Sequence, residues 1–267
     1  MVRTPLLVIT LSCFLGLGPG PASAEVAWVT LTTERGEQMR ALLGRPDSVK
    51  GRAPAVIYNH GTEVRMNGYQ DGEGNDVGGF VRALVAEGYV VLAPIRTFER
   101  TTAYMSKGRP AGSPEAWDAV IQGGLRTVAA ARAYLAARSD VDPEKIALFG
   151  FSEGGNVSLW AAIQRPQWRA VVLLSPAAIS PSPHFRLREA AAADKVARIN
   201  APVFLALARD DGPPILEVAT EHLIPNLQKS NPAFVHRVGY PGQHNLFWTV
   251  SNVYWPDVTA FLRKHLR

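Results

Sequence analysis

Residues 145–156, Lys145-Ile146-Ala147-Leu148-Phe149-Gly150-Phe151-Ser152-Glu153-Gly154-Gly155-Asn156, decide how this chain folds. The apolar run after Lys145 reads as a short strand buried on both faces. Gly-x-Ser-x-Gly follows, and then the first turn of a helix. So sharp a strand-to-helix turn strains the backbone of Ser152 and leaves its hydroxyl exposed as a candidate nucleophile. Gly150 and Gly154 lack a Cβ, so strand and helix can approach closely enough to make the turn. Gly155 further relieves contact between helix and sheet. The alternative is a tight turn that merely contains serine.

Outward from this run, strands and helices alternate. Towards the N-terminus, residues 26–33 and 38–43 read as two strands joined by a hairpin turn at Glu34-Arg35-Gly36-Glu37. Residues 55–59 form a buried strand that ends at His60-Gly61. A glycine-rich loop over 68–79 leads to a helix over 80–87 closed by Gly88, and then to a strand over 89–93 stopped by Pro94. Residues 96–113 are irregular, and 114–138 read as a long helix. Asp140-Val141-Asp142-Pro143 turns into the serine-bearing strand. Beyond it come a helix over 153–164, a strand over 170–174, and a proline-rich stretch from 175 that passes into an alanine-rich, charged helix. A strand over 203–208, a helix over 215–228, a strand over 233–238 and a closing helix over 249–265, interrupted near Pro256, complete the chain. This alternation predicts a mainly parallel sheet with helices on both faces and the N-terminal hairpin at one edge.

The 267 residues are 47% hydrophobic and 19% charged, a globular composition that allows one large α/β domain over 25–267. Residues 1–24 have the pattern of a signal peptide: Arg3, an apolar stretch from Leu6 to Leu17 too short to span a membrane, and Ala22-Ser23-Ala24 as cleavage site. The reading is export to a periplasm or the outside, with a mature chain from Glu25. A competing lipoprotein reading at Cys13 fails on Thr10, where an aliphatic residue is expected. Cys13 is the one cysteine, so the mature chain would hold no disulfide, no thiolate metal site and no cysteine nucleophile. Loss of Arg3 lowers the formal charge from +5 to +4. The charges are scattered, which argues against nucleic acid as a partner, and no later stretch could span a membrane.

A serine hydroxyl is a weak nucleophile and needs a base, itself oriented by an anion. Of six histidines, His244 lies on a Pro-Gly loop after the last strand and before the closing helix. His184 lies in the proline-rich stretch, His222 and His265 in helices, and His236 in a strand. His60 suits loop support better than proton transfer. Asp210 and Asp211, after the strand over 203–208, are the candidate acids, and an Asp-Asp-Gly turn is compatible with either. An oxyanion hole needs two N–H donors. The backbone N–H of Glu153 is one candidate and that of Thr62, in Asn59-His60-Gly61-Thr62, the other.

Taken together these motifs resemble the α/β-hydrolase superfamily, most closely its dienelactone hydrolase-like and prolyl-oligopeptidase-like esterase branches, over residues 55–267. The matching segments are Asn59-His60-Gly61-Thr62, Gly150-Phe151-Ser152-Glu153-Gly154-Gly155, the strand and turn from Pro202 to Asp211, and Tyr240-Pro241-Gly242-Gln243-His244. The resemblance implies an α/β-hydrolase fold and the chain order serine, acid, histidine. Members of the family often carry Gly-x-x-Asp after the acid-bearing strand. Ala208 stands at that glycine here, and counting from it favours Asp211 over Asp210. Dienelactone hydrolases proper use cysteine where this chain has Ser152, so their own activity is not expected. No propeller region precedes the hydrolase region, so an oligopeptide-gating architecture is not expected either.

The expectation is an exported serine hydrolase of small carboxylic esters, with Ser152, His244 and Asp211 as triad, Glu153 and Thr62 as oxyanion donors, and no metal or organic cofactor. Alternatives are a peptidase or amidase with the same triad, or a non-catalytic binding module. Arg96, Arg100 and Arg109 could hold an acidic substrate group or be solvated. Trp117, Phe185, Phe247 and Trp248 could line an acyl pocket or pack the core.

Overall fold

The structure, a computed structural model, describes residues 24–47, 51–62, 75–96, 114–165, 167–177 and 187–267, with backbone alone at 24 and 114–119. Residues 1–23 of the expected signal peptide 1–24, most of the glycine-rich loop, Arg100, Arg109, His184, Phe185 and the side chain of Trp117 lie outside these residues. Among the described residues, no helix is long and apolar enough to cross a membrane.

Strands β1 (Ala24–Thr32), β2 (Gln38–Pro46), β3 (Ala53–Asn59), β4 (Val90–Pro94), β5 (Val141–Phe151), β6 (Val171–Leu174), β7 (Val203–Ala208) and β8 (Val235–Tyr240) form one sheet in the order β1-β2-β4-β3-β5-β6-β7-β8. The hairpin β1–β2 is antiparallel and joins the sheet antiparallel to β4, and every pairing from β4 to β8 is parallel. This is the mainly parallel sheet with an antiparallel N-terminal edge that the sequence predicts.

Side chains of the central strands alternate between two apolar layers, because successive residues of a strand face opposite sides. Ile57, Leu92, Leu148, Leu173 and Leu205 pack on the side of helices α2 (Pro114–Ala136) and α3 (Glu153–Gln164). Val56, Tyr58, Val91, Phe149, Val172 and Phe204 pack on the side of α1 (Val77–Ala86) and a C-terminal helix at Trp255–Leu266. Burial on both faces explains why these strands read as unbroken apolar runs.

Several boundaries differ from the sequence reading, each for a local reason. The first helix starts at Val77 because Asp76 caps it, its Oδ1 accepting the Gly79 N–H at 2.9 Å. The alanine-rich helix is two single turns, α4 (Leu187–Ala190) and α5 (Ala193–Val196). After α6 (Pro213–Val218) the chain widens into a π turn at Ala219–Leu223 and continues as α7 (Ile224–Ser230). The π turn absorbs Pro225, which has no N–H to give to the preceding turn. The last strand begins at Val235 because Asn231 holds Ala233 and Phe234 in a turn. Pro256 lies in the first turn of the closing helix α8 (Trp255–Leu266) and starts it, where a missing N–H costs nothing. Residues 244–248 form a separate 3₁₀ turn.

Gly154 is where α3 meets β3. A Cβ there would overlap the carbonyl oxygens of Asn59 and His60, and one on Gly150 would overlap the Gly154 carbonyl. Gly154→Ala is therefore expected to lower the unfolding free energy by about 1–3 kcal/mol, read by urea denaturation. Gly155→Ala, which faces Pro176 Cα at 2.9 Å, is expected to cost less.

Candidate active site

The C-terminal ends of β5, β7 and β8 bring Ser152, Asp211 and His244 together, although 92 residues separate the serine from the histidine. Ser152 caps α3 with φ 54° and ψ −121°, a conformation that L-residues with a Cβ seldom adopt. It is held there from several sides. Its N–H donates to Leu174 O at 2.9 Å, and its carbonyl accepts from Ala177 N at 2.9 Å and Asn156 N at 3.0 Å. Ser152 Oγ lies 2.9 Å from His244 Nε2, and His244 Nδ1 lies 2.8 Å from Asp211 Oδ1. The carboxylate fixes the tautomer: Nδ1–H donates to Asp211, which leaves Nε2 to accept from the serine. The Asp211 side chain is fully buried, whereas that of His244 is 30% exposed. The Phe151 ring lies 5.0 Å from the imidazole, centroid to centroid. Asp210 is outside this arrangement, its side chain 60% exposed beside Arg209.

Two supporting residues carry no signal in the sequence, and a third, Arg96, has a role other than the two the sequence suggests. Ser175, directly after β6, is fully buried with φ 39°, and its hydroxyl donates to Asp211 Oδ2. Asp211 Oδ1 also accepts from Gly212 N at 2.9 Å, so both carboxylate oxygens are held. Asn75, in the loop that leads to α1, is fully buried. Its Oδ1 accepts from Tyr58 OH at 2.9 Å and Gly61 N at 3.3 Å, and its Nδ2 donates to Trp248 O at 3.2 Å. It thereby ties the loop after β3 to the 3₁₀ turn that begins at His244. The third is Arg96. It is only 1% exposed and bonds the His60 carbonyl and the Glu153 carboxylate, so it is neither a solvated loop arginine nor a reaching arm for substrate.

His60 is fully buried in the loop after β3. Its Nε2 accepts the Arg96 backbone N–H at 2.8 Å, and Nδ1–H donates to Gly61 O at 2.5 Å. Burial, and then the neighbouring Arg96 guanidinium, push its pKa well below 6.5. Thr62, 8% exposed, follows at the loop's end and donates through Oγ1 to Glu153 Oε2 at 3.2 Å. Glu153 is the first residue of α3, at the positive end of the helix dipole. Phe247 packs the core against Tyr254, ring centroids 4.9 Å apart, while Trp248 is partly buried against the same layer.

The sheet order and this cluster at its C-terminal edge define an α/β-hydrolase. The dienelactone hydrolase family matches residues 39–253, and the chain belongs to that family. Solved structures share the fold. A Klebsiella pneumoniae protein assigned as a dienelactone hydrolase is 19% identical, with TM-score 0.69 over 91% of this chain and 99% of that one. The dienelactone hydrolase-like promiscuous phosphotriesterase P91, from metagenomic libraries, is 16% identical, with TM-score 0.69 and the same coverage. Porphyromonas gingivalis dipeptidyl peptidase 4 is 16% identical, with TM-score 0.66 over 90% of this chain but 35% of that one. No curated protein sequence matches significantly.

Two outcomes follow from this geometry. Glycine adopts the Ser152 conformation without a Cβ clash, so Ser152→Gly is expected to be about 1 kcal/mol more stable than Ser152→Ala in urea unfolding. Equal stabilities would contradict strain at this turn. For His60, the unfolded chain takes up a proton near pH 6.5 that the folded chain refuses. Stability therefore falls as pH drops from there towards the depressed folded value. Imidazole NMR is expected to show His60 still neutral well below pH 6.5.

Proposed function

We propose that this hydrolase cleaves small carboxylic esters through Ser152, His244 and Asp211 and an acyl-enzyme intermediate. The observation that carries the reading is the continuous hydrogen-bond chain from Ser152 Oγ through both nitrogens of His244 to a fully buried Asp211 carboxylate. A serine strained into the left-handed region at a helix start supports it further.

Ser152 Oγ attacks the ester carbonyl carbon as its proton passes to His244 Nε2. Asp211 stabilises the imidazolium without taking its proton. The carbonyl oxygen becomes an oxyanion held by the backbone N–H groups of Glu153 and Thr62, and such donors are worth about 10²–10³-fold each. Collapse breaks the bond to the alkoxy oxygen, which leaves as alcohol with the proton from Nε2. Water then attacks the acyl carbon, gives its proton to Nε2 and releases the acid, and Ser152 Oγ regains its proton. No metal or organic cofactor enters this scheme. The reading includes export, with residues 1–24 as the signal peptide and Ala22-Ser23-Ala24 as its cleavage site.

The mature chain from Glu25 is expected to hydrolyse p-nitrophenyl esters, and Ser152→Ala to lose about 10⁴-fold or more in kcat while keeping its unfolding transition. Ester turnover that survives in Ser152→Ala contradicts the reading. Cleavage of peptide p-nitroanilides in preference to esters would favour a peptidase.

A further inference from the structure

The Glu153 side chain lies beneath the candidate site as part of a buried polar cluster that the proposed chemistry does not use. Glu153 and His60 are fully buried, and Arg96 is 1% exposed. Arg96 Nη2 donates to Glu153 Oε1 at 3.2 Å and to the His60 carbonyl. The other carboxylate oxygen, Oε2, accepts from Thr62 Oγ1 at 3.2 Å. Three chain segments meet here: the loop after β3, the end of β4, and the residue that follows the nucleophile. Burial lowers the Arg96 pKa, and Glu153 partly restores it. Removing a carboxylate and a guanidinium from water is costly, and apolar side chains fill such space at least as favourably. A merely structural role therefore explains the pair poorly.

We propose that the Arg96–Glu153 ion pair positions and electrically balances the oxyanion hole. The inference rests on the serine hydrolase reading, because it concerns the donors that reading assigns. Those donors are the backbone N–H groups of Glu153 and Thr62, and the two residues are joined through their own side chains. The carboxylate thus fixes the spacing between the donors, while Arg96 anchors the carbonyl two residues before Thr62. Charge makes the second demand. A bare carboxylate on the residue that must stabilise an oxyanion would repel it in a site shielded from water. Arg96 cancels that repulsion. Both residues act through the donors, so they are positioning residues rather than catalytic ones.

Charge balance gives the test its sign. Arg96→Met keeps much of the length but removes the positive charge 3.2 Å from the Glu153 carboxylate, so kcat is expected to fall at least 100-fold with KM little changed. Glu153→Gln keeps the shape and an acceptor for Thr62, and about a 10-fold loss is expected. In the double variant Arg96→Met/Glu153→Gln the negative charge is removed with the positive one, so kcat is expected to recover at least 10-fold over Arg96→Met. Affinity for a trifluoromethyl ketone, whose adduct on Ser152 carries an oxyanion, should fall in step with kcat/KM across the series. Should Arg96→Met fail to fold, Thr62→Val carries the test. It cuts the link without altering charge, and kcat and ketone affinity should drop together.

Full activity in Arg96→Met or Thr62→Val overturns the proposal. So does a double variant no faster than Arg96→Met, or a loss that appears in KM alone. Wild-type protein that neither turns over esters nor reacts with a fluorophosphonate overturns the underlying reading and this inference with it. An active wild type with charge-indifferent variants overturns the inference alone.

Discussion

Everything at this site depends on the turn between β5 and α3. Ser152 is held at φ 54° there, and a residue with a Cβ does not stay in that conformation unless its surroundings force it. The force comes from the neighbouring strand, the loop that follows it and the first turn of α3. Leu174 of β6 fixes the serine N–H, and Ala177 and Asn156 fix its carbonyl. The turn also needs α3 to begin against the end of β3, and glycine at 150 and 154 is what makes that approach sterically possible. Strain is tolerated here because the parallel sheet around it is buried on both faces and cannot yield locally.

From that turn the rest of the site follows by topology. Parallel strands deliver all their C-terminal ends to one edge, so loops far apart in sequence converge there. Two layers of support then hold the side chains. Ser175 and Gly212 immobilise the Asp211 carboxylate, and Asn75 links the loop after β3 to the His244 turn. The Arg96–Glu153 pair connects that same loop to the start of α3. Positive φ at Ser175 as well as Ser152 puts the molecule's two strained non-glycine residues, among those described, at consecutive strand ends beside one another.

The fold was legible because its information is local. Apolar strands buried on both faces, a glycine-framed serine and a histidine on a Pro-Gly loop are patterns visible within a few residues. The choice between Asp210 and Asp211 was narrowed only by counting from Ala208. In the structure one side chain turns inward to His244 and its neighbour outward to Arg209. Ser175, Asn75 and Arg96 could not be found this way. A serine after a strand, an asparagine in a loop and an arginine after Pro94 are ordinary surface residues in sequence. Each gains its role only from partners between 14 and 173 residues away. Arg96 was open to two readings, solvent or substrate, and burial with Glu153 corrects both. A helix and a strand start where one side chain, Asp76 or Asn231, captures the backbone.

The most direct measurement is peptide mass mapping of protein quenched during steady-state hydrolysis of a p-nitrophenyl ester. The account predicts a single acyl adduct, on Ser152, that forms and decays at a rate consistent with turnover. Turnover with the acyl group on another residue, or turnover that persists in Ser152→Ala, would contradict it.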